Sequence, residues 1–576
     1  MKKLNKFFIA LMSAGILASC SSDNAPDEIY SGSEITDPCV VQLKIKLPET
    51  TRADSDIPTN VGNPSTEEGS ANENKINDML LVLASSNDNG FVDCAEITVA
   101  TGTNVQKATF SRSVLTNYLN GISTNTVNAF VFCNVNETFK NHIKGLTKNN
   151  GDKEWYNQYC QLTTADKDGA WNQSVSGKIP MSNSEIYTAV LPTAANLSIY
   201  NSESNPWYLS GGGSNTTPIN IERSIARLDF KDGSGNDFTY TIYDFKNNTN
   251  NALKENTQIK VKLEYMGLVN MSSKYYYLRH MAPMASNNTS ADLTKVSLLD
   301  PETASNWVID VDASNKSSED YLFPLMDPTG TGNPNRTNWY ATKLSDFASS
   351  HDEDHVEWNG GEGYRVWRYV TENTIPTISE QKNGNTTGIV FKAKLIIETS
   401  ETENTKYGPR LKKSMEDGKT LFFFGDTKYP VGDADYIMTL AENAPERVAY
   451  EASLTDDVLD KGKATKNGFT LYEAVTDQNK LPTDDKGNYY MYYYYWNRHR
   501  DNDKPGVMGA MEFGTVRNFI YKLAVTDIKN LGHPRIKEND PDPVDPDDPD
   551  ESDNLAIVIT VKQLSGEFAS TISNSD

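Results

Sequence analysis

Two stretches at opposite ends of the chain carry the same alternation, and neither can be stable by itself. Val41-Gln-Leu-Lys-Ile-Lys-Leu47 puts Val41, Leu43, Ile45 and Leu47 on one face and Gln42, Lys44 and Lys46 on the other. Leu555-Ala-Ile-Val-Ile-Thr-Val-Lys562 puts Leu555, Ile557, Ile559 and Val561 on one face. A period of two is the signature of a half-buried strand, which needs a neighbour to pair with and a core beneath it. The C-terminal stretch has no neighbour nearby in sequence. It follows Asp540-Pro-Asp-Pro-Val-Asp-Pro-Asp-Asp-Pro-Asp-Glu-Ser-Asp553, an acidic tether whose prolines and like charges predict an extended chain, reaching on the order of 3 Å per residue. A lone strand must find a sheet elsewhere.

Immediately after the first strand comes Pro48-Glu-Thr-Thr-Arg-Ala-Asp54, a polar stretch with one basic residue of the kind a trypsin-like protease cuts. Cleavage there detaches Val41, Leu43, Ile45 and Leu47 from the rest of the chain. The groove left behind suits a strand of the same pattern, and Leu555, Ile557, Ile559 and Val561 of another copy supply one. Donor-strand exchange of this kind builds fibres. The alternative is that both are ordinary sheet strands and Arg52 is an ordinary surface residue.

The first twenty residues narrow the setting. Lys2, Lys3 and Lys6 precede the apolar run Phe7–Ile16 and then Leu17-Ala-Ser-Cys20, an export signal over residues 1–19 rather than a membrane span. Leu17-Ala-Ser-Cys20 resembles a bacterial lipobox, which implies that Cys20 becomes the lipidated first residue and tethers the protein to the outer membrane through its acyl chains. A net charge of −24 argues against nucleic acid as a partner. Cys39 would leave with the detached strand, so at most one disulfide can form among Cys94, Cys133 and Cys160. This is not a disulfide-stapled scaffold.

Along the chain, short apolar strands alternate with Asn/Ser/Gly turns, which predicts an all-β fold of antiparallel sandwiches. Strands are expected at 74–83, 108–110, 127–135, 219–230, 239–245, 259–268, 388–397, 421–424, 491–496 and 519–525, with a short helix over 112–119. The Gly211-Gly-Gly213 and Asn215-Thr-Thr-Pro218 turns place a domain boundary before Ile219. The expected organisation is a signal over 1–19, a propeptide with the detachable strand over 20–52, sandwiches over 53–218 and 219–538, and tether plus donor strand over 539–576. The long polar stretch 281–386 is expected to be surface loops.

Catalytic chemistry finds no foothold. His351-Asp-Glu-Asp-His355 has two histidines four apart but lacks the glutamate beside the first that a zinc hydrolase needs. No nucleophile elbow, phosphate loop or dinucleotide fingerprint occurs, so no catalytic residue, metal or cofactor is expected. The tyrosines 492–495 with Trp496 read either as a strand on a core or as a sugar-stacking platform, and the alternation favours the core.

Four stretches together resemble the fimbrillins of Bacteroidales, nearest to the shaft subunits of the minor fimbrium. They are Glu222-Arg-Ser-Ile-Ala-Arg-Leu228, Tyr492-Tyr-Tyr-Tyr-Trp-Asn-Arg-His499, Gly506-Val-Met508 with Met511-Glu512, and Val516-Arg-Asn-Phe-Ile-Tyr-Lys-Leu-Ala-Val525. The resemblance implies two transthyretin-like sandwiches, export as a lipoprotein, cleavage between Arg52 and Ala53 by an Arg-specific protease, and polymerisation by strand exchange as a type V pilus. It implies as partners other copies of the chain, with anchor and tip or accessory subunits. Two other readings stay open: a tip or accessory adhesin, and a glycan-binding surface lipoprotein that does not polymerise. The acidic tether 540–553 departs from the family pattern.

Overall fold

The computed structural model describes residues 35–47, 66–100, 102–163, 178–209, 217–247, 254–300, 305–325, 342–349, 363–382, 384–424, 431–455, 469–475, 486–500, 504, 507–534 and 555–565. The principal strands of the first half are β1 (Pro38–Lys46), β2 (Thr66–Glu68), β3 (Met79–Ser85), β4 (Phe91–Ile97), β5 (Val105–Ser111), β6 (Thr126–Cys133), β7 (Met181–Asn183), β8 (Trp207–Tyr208) and β9 (Ile219–Arg223). Helix α1 (Arg112–Asn120) follows β5 directly. The second half supplies β10 (Ala226–Asp232), β11 (Thr239–Asp244), β12 (Thr257–Val269), β13 (Arg365–Val370), β14 (Gly388–Thr399), β15 (Tyr490–Trp496), β16 (Phe519–Ile528) and β17 (Leu555–Ser565).

These strands form an all-β framework of three large sheets. A nine-stranded sheet runs β8-β1-β9-β7-β6-β3-β4, with β5 paired to the free flank of β1 and the short strand Tyr187–Val190 paired to β6. A five-stranded sheet runs β2-β17-β16-β10-β13, and a second five-stranded sheet runs β11-β12-β14-β15 with the two-residue strand Thr342–Lys343 paired to β12.

The sequence of β3 explains how the first sheet is covered. Met79, Leu81 and Leu83 join one apolar cluster with β1 and β5, while Leu80, Val82 and Ala84 join another. A strand buried on both faces reads as a continuous apolar run rather than an alternation, which is what Met79–Ala84 displays. The strand starts at Met79 and not at Asn74, because residues 74–78 turn away into the junction described below. Asn89, at φ +58°, closes the turn into β4.

In the second half, β12 and β14 pair from Thr257↔Thr399 to Val269↔Gly388 and carry the second sandwich's core. Gly388 is required where β14 meets β15, since a Cβ there would lie 2.5 Å from the Trp496 ring and 2.7 Å from the Tyr495 carbonyl oxygen. Within the tyrosine run, Tyr492 and Tyr493 are buried, while Tyr494, Tyr495 and Trp496 are half-buried.

Three sequence expectations are corrected. Residues 219–230 are not one strand: the chain changes sheets at Ser224-Ile225, where the Ser224 N–H donates to the Pro180 carbonyl at 2.9 Å and the Ile225 carbonyl accepts from the Asn518 N–H at 2.7 Å. The sheets therefore part inside that run. Nor is 281–386 a set of surface loops. Met281, Leu298, Trp307, Val308 and Leu322 are buried in a cluster that also holds Phe132 and Trp155 of the first half and Tyr521 of β16. That cluster joins the two halves through shared apolar surface. Finally, the C-terminal strand is not without a neighbour, because β17 pairs with β16 and β2 of its own chain.

Candidate strand-exchange site

The strand β1 occupies the interior of its sheet. It pairs antiparallel with β5 at seven positions, Pro38↔Ser111 to Lys44↔Val105. Along its other edge it pairs parallel with β8 at Val41↔Trp207 and Gln42↔Tyr208, then with β9 at Ile45↔Ile219 and Lys46↔Asn220. The Leu209 N–H donates to the Gln42 carbonyl at 3.0 Å and the Val40 N–H to the Tyr200 carbonyl at 2.7 Å. Both edges are thus satisfied, as a buried backbone requires.

The side chains follow the predicted alternation. Val41, Ile45 and Leu47 are fully buried and Leu43 is 2% exposed, all in one cluster with Leu81, Leu83, Phe110, Val127 and Val131. Gln42, Lys44 and Lys46 lie half-buried on the opposite face. Cys39 is also fully buried, and burial pushes its thiol pKa up to about 11. Cys94 and Cys133 are free thiols, so no disulfide joins either to Cys160.

The leader of β1 reaches further than the strand. Helix α1 begins at Arg112 after Ser111, whose side chain makes no capping hydrogen bond. Asp37 caps the helix instead, its carboxylate accepting from the Ser113 N–H at 2.8 Å and from the Ser111 hydroxyl at 2.9 Å. The Ser113 N–H, with the Ser111 hydroxyl, holds the Asp37 carboxyl below the usual aspartate range.

The second predicted strand sits in another sheet. β17 runs antiparallel to β16 from Leu555↔Ile528 to Phe519↔Gln563, which sets Ile557 opposite Val525, Ile559 opposite Leu523 and Val561 opposite Tyr521. It extends to Ser565, three residues beyond the apolar alternation. Within one subunit, β1 and β17 therefore belong to different sheets. Cys20, Arg52, Ala53 and the His351–His355 pair lie outside the described residues. Among the described residues, no cluster of metal-ligating side chains occurs.

Sequence reasoning missed an ionic junction buried between the first two sheets. Arg227 of β10 bonds Glu67 at 2.6 Å, Glu73 at 3.1 Å and Asp229 at 2.8 Å, and all four side chains are fully buried. Lys522 of β16 adds a second cation on Glu67 at 2.9 Å. Arg223 of β9 donates to the Glu73 carbonyl at 3.1 Å and to the Asn74 side chain. Burial alone would raise the Glu73 carboxyl, but Arg227 and Arg223 beside it hold it below its ordinary range. Arg517 forms a bidentate pair with Glu372 at 3.2 and 2.9 Å. The signal in the sequence was slight: Arg223 and Arg227 stand inside strands β9 and β10 beside other charged residues, and Arg517 lies in the turn just before β16.

Fold and site together define an all-β chain with an interior strand near its N-terminal end and a second strand held at its C-terminal end. Residues 487–566 match the family model of the major fimbrial subunit protein type IV, fimbrillin, C-terminal. This span encloses β15, β16 and β17. No curated protein matches the chain.

Among solved structures, a proposed cell adhesion protein from Parabacteroides distasonis is 10% identical, with TM-score 0.41 and coverage of 92% of this chain and 100% of its own. A fimbrillin from Porphyromonas gingivalis is 12% identical, with TM-score 0.33 and coverage of 92% and 98%. A C-terminally truncated tip fimbrial protein from the same organism is 8% identical, with TM-score 0.32 and coverage of 92% and 99%.

Proposed function

We propose that the protein is a structural subunit of a bacterial surface fimbria that supports adhesion and has no enzymatic activity of its own. It is exported as a lipoprotein on Cys20, held at the outer membrane until an Arg-specific protease cuts between Arg52 and Ala53. It then polymerises as Leu555, Ile557, Ile559 and Val561 of one copy replace Val41, Leu43, Ile45 and Leu47 of the next. Anchor and tip subunits end the fibre, and the sandwiches of each subunit form its repeating body.

The observation that carries this reading is the seat of β1, an interior strand whose only covalent link to the sheet beyond it runs through Arg52. Removing β1 uncovers the β5 edge at seven positions and the floor under four apolar side chains. Refilling that floor with four residues of similar size gains about 6–12 kcal/mol of gross apolar burial. Ordering a free strand costs about 1–2 kcal/mol per residue. The donor is already extended on β16, so much of that ordering precedes exchange.

The test is limited digestion of the purified precursor with an Arg-specific protease, followed by unboiled gel electrophoresis and negative-stain microscopy. Wild-type protein is expected to give a ladder and fibres, and Arg52→Ala to stay monomeric. Polymerisation of Arg52→Ala to the wild-type extent would overturn the reading.

A further inference from the structure

We propose that β2 is a clasp that keeps β17 on its own subunit until exchange, fastened by Glu67. The inference rests on the strand-exchange reading, because it says what restrains the strand to be donated.

The clasp follows from strand order. β17 lies between β16 and β2, and β2 touches it at only three parallel positions, Thr66↔Gln563, Glu67↔Leu564 and Glu68↔Ser565. So short a parallel contact is weak on its own. Yet the Glu67 carboxylate, 2% exposed, binds Lys522 on β16 and Arg227 on β10, strands two and three places away in the order β2-β17-β16-β10. Neighbouring strands are about 4.8 Å apart. These ion pairs therefore cross the line of β17.

The rest of the segment is pinned as firmly. The Ser70 N–H donates to the Glu73 carboxylate at 2.6 Å and the Glu73 N–H to the Ser70 hydroxyl at 3.2 Å, closing a reciprocal turn. The Glu73 carboxylate also accepts from the Tyr369 hydroxyl at 2.9 Å. Gly69 lets Arg223 approach, because a Cβ there would lie 2.7 Å from its guanidinium. Residues 66–74 are thereby bound to β9, β10, β13 and β16, and β17 leaves only if β2 lifts or lets it slip past. The clasp begins beyond Arg52, so cleavage leaves it in the mature subunit.

The experiment uses hydrogen exchange on the uncleaved monomer, which needs no polymer to form. Glu67→Gln removes the charge that faces Lys522 and Arg227 while keeping the size of the side chain. Amides of 555–565 are expected to exchange on the order of tenfold faster or more, with those of 226–232 changing far less. Unchanged exchange in 555–565, or equal acceleration in both segments, would overturn the clasp. A second variant guards against misfolding: Glu68→Cys with Ser565→Cys joins residues in register across β2 and β17. Oxidised and then cleaved at Arg52, it should remain monomeric and polymerise on reduction. A ladder from the oxidised form would refute the clasp, whereas a wild-type precursor that never polymerises would refute the exchange reading and leave the hydrogen-exchange result to stand alone.

Discussion

Leu43→Ala combined with Ile45→Ala separates the strand's two lives. Both side chains are buried to within 2% in the cluster that includes Leu81, Leu83, Val127 and Val131. Truncating a buried Leu or Ile to Ala costs about 2–5 kcal/mol, the loss growing with the cavity that remains. The two sites are neighbours on one face and share that cavity, so their costs do not simply add. An expected total of about 4–8 kcal/mol is comparable with the whole stability of an ordinary domain. Urea unfolding of the uncleaved precursor, followed by fluorescence, should report most of this loss as a lower midpoint. The cleaved fibre should report none, because 41–47 has left it. Equal destabilisation of precursor and fibre would mean that β1 stays in place after cleavage, and an undisturbed precursor would mean that β1 does not hold its sheet together.

Three further outcomes are expected. Arg517→Met leaves Glu372 buried and unpaired and should cost about 3–5 kcal/mol in denaturant unfolding; adding Glu372→Leu should recover a large part of it. Asp37 has a depressed carboxyl pKa, so its support of α1 is present above the ordinary aspartate pKa and lost as pH falls through the lower folded value. Thermal scans of wild type and Asp37→Ala should therefore differ near neutral pH and converge in acid. Cys39 is buried with its thiol pushed up to about 11, so iodoacetamide at mildly alkaline pH should leave it unmodified in the folded precursor and label it once β1 is displaced.

Strand existence was legible wherever one apolar period governs the residues. Val41 to Leu47 alternates because one face meets core and the other meets partial solvent, and the structure keeps that division residue by residue. Helix α1 was legible from the run after Arg112, although its cap comes from Asp37 rather than from the adjacent serine. The insertion 281–386 misled because its polar average conceals isolated anchors. Trp307 and Leu322 are too widely spaced to give a period, yet each fills core shared by both halves.

The ionic junction was hidden for a different reason. A charged residue inside a strand is ordinarily a sign of a solvated face, and Arg223, Arg227 and Lys522 are compatible with that rule when only their own strands are considered. Their burial becomes intelligible only with Glu67 and Glu73, which lie far away in sequence and supply charge and hydrogen bonds together. Taking such cations out of water is costly unless every one is paired. The junction consequently links distant segments: the pairing that accompanies the passage of β9 and β10 between sheets also fixes residues 66–74, and those residues in turn flank β17, the proposed donor. Ion pairs suit that position better than apolar contacts would, because they bind with direction and resist partial displacement, whereas an apolar edge could slide along β17 at little cost.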